Sequence, residues 1–218
     1  MKKILVLSPH PDDELLGCGG TLLKYSKAEI SWIILTKMSL KQGFSKQRIK
    51  QREKEILEVK KKLNIKNLIK LNFETSTLNY FNLPKLISLL KKNVDKLKPD
   101  TIFAPHINDS HSDHFFCTYA INSIAKSFRY KELNQLFLYE TLSETNFNFT
   151  KDKFIPNVYF DIEKTLEKKI HLLKIYKSEI KNHPFPRSKE SVVALATLRG
   201  SESNFQFSEA FQLIFKKL

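Results

Sequence analysis

The chain has 218 residues, 41% hydrophobic and 28% charged, enough to bury roughly 70% of its unfolded surface around a core. Two cysteines (Cys18 and Cys117) and five glycines exclude a disulfide-framed module and a collagen-like or low-complexity chain. The net charge of +14 rests on 37 Lys/Arg, of which only five are arginine, so it reads mainly as a solvated lysine surface with some pull on anionic substrates, and not as a nucleic-acid reader.

In chain order, a short apolar strand over 2–7 leads into a Ser-Pro-His-Pro turn and a helix over 13–27. The run after Lys2-Lys3 is too short for a signal-peptide core, and nothing approaches the roughly 18 apolar residues of a membrane span; the expectation is a soluble cytoplasmic protein with no stable membrane insertion. A second strand over 30–36 precedes a basic helix over 45–63, where Ile49, Ile56, Val59 and Leu63 form an apolar stripe. A strand over 67–72, a helix over 83–97, a strand over 101–104, a helix over 113–127 and a strand over 136–140 follow. The alternation predicts an α/β fold, a mostly parallel, Rossmann-like sheet flanked by helices, with the site at the carboxyl ends of the strands. We read 1–218 as a single domain. Its region 151–218, with a helix over 163–181 and then proline-punctuated helical segments, is a C-terminal elaboration closing over the site.

Two clusters carry chemistry. Ser8-Pro9-His10-Pro11-Asp12-Asp13-Glu14 crowds a histidine and three carboxylates just where the first strand ends. Like charges so close repel unless a cation makes them favourable; the plain alternative is a helix N-terminus with two acids at its dipole. His106, Asn108, Asp109, His111, Asp113 and His114 follow the strand over 101–104 and hold three of the six histidines. His10, Asp13 and one histidine of His111-Ser112-Asp113-His114 supply the three protein ligands of a catalytic zinc, or of another divalent first-row metal. Asp12, beside Asp13, is then placed to take a proton from water. Glu14 either supports the loop or caps a helix; His106 and Asn108 receive no role. A dinucleotide reading of Gly17-x-Gly19 fails at Leu22, where a third glycine is required.

Pro9-His10-Pro11-Asp12-Asp13-Glu14 followed by Gly17-Cys18-Gly19-Gly20-Thr21, together with His111-Ser112-Asp113-His114, resembles the signature of the PIG-L/LmbE-like zinc-dependent N-deacetylases. Arg52-Glu53, Pro186-Arg187-Ser188, Arg199-Gly200 and Ser208-Glu209-Ala210-Phe211 resemble weaker family features, so the likeness spans nearly the whole chain. The resemblance implies that His10, Asp13 and His114 bind zinc and that Asp12 is the general base. It implies that His111, oriented by Asp113, stabilises the oxyanion or protonates the leaving amine, and that Arg52, Arg187 and Arg199 line the substrate pocket. The implied substrate is a small-molecule or carrier-linked N-acetylated amino sugar. Rival readings are a metal-dependent amidase on a non-sugar amide and a basic nucleic-acid-binding module, the latter leaving both clusters unexplained. A homo-oligomer is left open.

Overall fold

The computed structural model describes residues 1–149 and 152–217. The apolar runs near the amino terminus form β1 (Lys3–Ser8) and β2 (Glu29–Lys37), buried almost throughout, which is why they read as continuous rather than alternating apolar sequence. With β3 (Asn67–Glu74), β4 (Thr101–Pro105) and β5 (Gln135–Tyr139) they make five parallel strands in the order β3-β2-β1-β4-β5. The register sets Val6 of β1 between Trp32 and Phe103. The strand order reverses between β1 and β4, so the loops leaving those two strands flank the crevice where α/β sheets bind ligands.

Side chains alternate across β1. Ile4 and Val6 enter one apolar layer with α1 (Asp13–Lys24), α2 (Lys46–Lys62), α5 (Leu166–Leu173) and α6 (Lys189–Ser203). Leu5 and Leu7 enter the other, with α3 (Leu83–Leu97) and α4 (Ser112–Ile124). No helix among the described residues is long and apolar enough to cross a membrane.

The C-terminal region departs from expectation. The helix expected over 163–181 is only α5, and the tail expected to be helical ends in a strand. β6 (Val158–Asp161) and β7 (Ser208–Lys216) extend the sheet antiparallel, β7 pairing with β5. Gly200 makes the reversal into β7 compact, because a Cβ there would lie 2.6 Å from the Phe205 carbonyl oxygen. The boundary expected at 151 lies outside the described residues.

β7 also braces the first functional helix. α1 is kinked at Cys18, whose φ/ψ of −143°/17° is not helical. Both carboxylate oxygens of buried Glu209 accept the amides released beyond the kink, Gly20 N–H and Thr21 N–H, each at 2.7 Å. Lys169 Nζ donates to Glu209 at 2.7 Å and to the Leu16 carbonyl at 2.9 Å. A Glu209→Ala change strands a buried ammonium and two buried amides; urea unfolding is expected to show a loss of about 3–5 kcal/mol.

Candidate active site

β1 hands the chain to the first cluster, which is fixed by bonds to its neighbours. Thr36 Oγ1 donates to the Pro9 carbonyl at 2.8 Å, and Arg52 Nη1 donates to the Pro11 carbonyl at 2.8 Å. Asp12 stands at φ 127°, a strained conformation of the kind retained where the surroundings over-determine it. Its N–H donates to Glu14 Oε2 at 3.0 Å, and Glu14 Oε1 accepts from Tyr176 at 2.8 Å. Glu14 therefore buttresses the loop. Gly17 lets α1 approach the sheet, since a Cβ would meet the Tyr139 ring at 2.1 Å.

The second cluster lies between β4 and the start of α4. His111 Nδ1 accepts from the Asp113 N–H at 3.1 Å, so a neutral His111 carries its proton on Nε2, which lies 3.4 Å from Ser76 Oγ. Asp113 does not orient His111 through its carboxylate, as expected from sequence. That carboxylate accepts from Ser76 N–H (2.7 Å) and Leu78 N–H (3.1 Å) and lies 3.1 Å from His10 Nε2. The helix start turns it toward His10 and the loop after β3, so only a backbone contact links it to His111.

These bonds select tautomers. Ionised carboxylates only accept, so His10 carries its proton on Nε2 toward Asp113, leaving the Nδ1 lone pair. His114 Nδ1 lies 2.8 Å from Asp109 Oδ2, leaving Nε2. Nε2 of fully buried His114 has no hydrogen-bond partner and lies 3.4 Å from Asp13 Oδ1. One donor atom each from His10, Asp13 and His114 falls within 4.8 Å of the others. Two imidazoles, one carboxylate and an orphaned buried lone pair fit a divalent first-row cation. His10, His111 and Asp113 form a second such group, but Asp113 already accepts three bonds there, so the first set has the freer lone pairs.

The electrostatics agree. Burial opposes charge on His114, but Asp13 and Asp109 outweigh it and hold its affinity for positive charge well above the ordinary range. Burial also opposes charge on Asp13, yet His114 and His10 keep its carboxyl below the usual range. Burial, then the neighbouring Asp13, push Asp12 up against the pull of Arg187, toward the range useful to a base near neutrality. Burial pushes His111 down.

Asp109 received no role from sequence, yet its other oxygen accepts from Thr145 Oγ1 at 2.6 Å, locking the carboxylate that orients His114. The signal was an acid five residues before a ligand-type histidine in one loop. Asp109→Ala is expected to weaken metal affinity about 10–100-fold in a metal titration.

The six residues of the two clusters that sequence named for chemistry thus converge; the three arginines divide. Arg187 Nη1 donates to Asp12 Oδ2 at 2.6 Å. Arg52 lines the same cavity, but its guanidinium is committed to Pro11, Ser178, Glu179 and Glu55. Arg199 is not at the site: it grips Glu140 at 2.7 and 2.8 Å and Glu202 at 2.8 Å, tying α6 to the end of β5. Glu179, for which the sequence carries no signal, joins Arg48, Arg52 and Arg187. The cavity, about 250 Å³, runs from the histidine cluster to Met38, Phe44 and Ile49.

Comparison with known proteins adds a family. Residues 5–125 match the profile described as PIG-L: GlcNAc-PI de-N-acetylase. The fold resembles that of N,N'-diacetylchitobiose deacetylase from Pyrococcus horikoshii (TM-score 0.77, 23% identity, covering 98% of this chain and 84% of that one). It resembles the conserved protein TT1542 from Thermus thermophilus (0.78, 25%, 100% and 97%). It also resembles GalB, the 4-carboxy-2-hydroxymuconate hydratase of Pseudomonas putida (0.72, 14%, 100% and 98%). A hydratase among the neighbours shows that the fold alone does not fix the reaction.

Proposed function

Because this chain belongs to the PIG-L family of de-N-acetylases, we propose that it hydrolyses the acetamide of an N-acetylated amino sugar, free or carried on a larger molecule, in the cavity between the β1 and β4 loops. His10, Asp13 and His114 hold a divalent metal, for which zinc is well matched to the donor set. When bound, that metal supplies Lewis-acid polarisation of the carbonyl and acidifies a water. Asp12 takes the proton of the attacking water, with Arg187 occupying Oδ2 and leaving Oδ1 to accept. His111 donates from Nε2 to the developing oxyanion and then protonates the departing amine nitrogen. Acetate and a free amino sugar result.

The observation that carries this reading is the unpartnered, buried His114 Nε2 beside Asp13 in the cavity that Asp12 also lines. A fold neighbour named for an N-acetylated disaccharide supports a sugar substrate. The test is product analysis on a panel of free, phosphorylated and glycosidically linked N-acetylglucosamine compounds. Acetate and free amine in equal amounts from at least one of them are expected. Metal binding with no release from any of them contradicts the sugar assignment.

A further inference from the structure

The rim of the cavity is unusually apolar for a surface. Phe81 is 97% exposed, Phe149 90% and Tyr80 66%, with Leu40 and Phe147 about half exposed. Each lies on a segment leaving the carboxyl end of a parallel strand: Leu40 after β2, Tyr80 and Phe81 after β3, Phe147 and Phe149 after β5. These segments adjoin the site. Met38 and Glu144 line the cavity, and Ser76 and Leu78 donate to Asp113. The segments after β3 and β5 meet at the start of α4: Tyr80 packs edge-on to Phe116 at 5.1 Å, and Glu144 accepts from Ser110.

A water-soluble protein rarely leaves large aromatic rings this exposed around one opening without a partner. Charge selects the partner. Lys37, Lys41, Lys46 and Lys85 stand exposed on the same segments and form no ion pair among the described residues, against Glu74, Glu144 and Asp152. The chain as a whole carries +14. A second copy would bring the same positive field to the contact, whereas an anionic bilayer surface complements it, aromatic rings entering the headgroup region beside lysines. We infer that the cavity rim docks on an anionic lipid surface, with the site opening toward it. The inference does not rest on the deacetylase reading.

Co-sedimentation of the full chain with vesicles tests it. Partition onto vesicles of equal parts phosphatidylglycerol and phosphatidylcholine is expected to exceed partition onto phosphatidylcholine alone by about tenfold or more, and to fall with salt. Phe81→Ser/Phe149→Ser is expected to cut the anionic partition about tenfold. Its thermal unfolding, and any hydrolysis of a water-soluble substrate, should stay unchanged, since both rings are exposed and outside the cavity. Lys41→Glu/Lys85→Glu provides an independent arm with the same expected loss. Absence of partition onto anionic vesicles, or partition unmoved by both variants, overturns the inference. A dimer in sedimentation velocity that the phenylalanine variant dissolves overturns it in favour of a self-interface.

Discussion

Asp12→Asn is expected to keep its metal and lose turnover by about 10²–10⁴-fold, the usual contribution of a positioned general base. Asparagine preserves the shape of the side chain and can still accept from Arg187, so the strained turn at Asp12 and the bond to Glu14 should persist. What disappears is the oxygen able to take a proton. Metal content and steady-state turnover, measured on the same preparation, check it. Wild-type turnover in the variant would remove Asp12 from the mechanism. Loss of metal in parallel with turnover would mean that Asp12 acts through the cation site.

His114→Ala is expected to lose metal affinity by more than the roughly 10–100-fold assigned to loss of an orienting partner. The same change strips the partner from two buried carboxylates, Asp13 and Asp109, each of which lies within 3.4 Å of the imidazole. Stability should therefore fall too, by about 3–5 kcal/mol. His111→Ala removes a partly buried residue that is not part of the His10–Asp13–His114 group. It should retain metal while losing turnover. Equal loss of metal in the two variants contradicts the ligand assignment, and parallel titrations with urea unfolding decide it.

Much of this was legible because the site lies on the parts of the chain with the strongest local signals. β1 and β2 are buried almost end to end, so their runs stand out, and the chemistry follows β1 and β4, where an α/β sheet presents its loops. What was missed depends on contacts distant in sequence. The run from Ser208 to Lys216 lacks a turn signal to separate it from the preceding helix, and only Gly200 and the partner strand β5 make it a strand. The arginine scarcity marked Arg52, Arg187 and Arg199 as unusual. Scarcity cannot say which carboxylate each one meets, and Arg199 meets Glu140 and Glu202 away from the cavity. Asp113 looked like a partner for His111 because the two are neighbours in sequence. Its carboxylate is claimed by Ser76 and Leu78, which only the folded loop after β3 brings near.

The most direct test of the central claim is a metal-reconstitution assay: metal content of the purified chain, then acetate release from an N-acetylated amino sugar before chelation, after chelation and after metal is returned. The account predicts about one divalent ion per chain, release abolished by chelation and restored on reconstitution. Acetate release that survives complete removal of the metal, or a chain with no metal affinity at all, would contradict it.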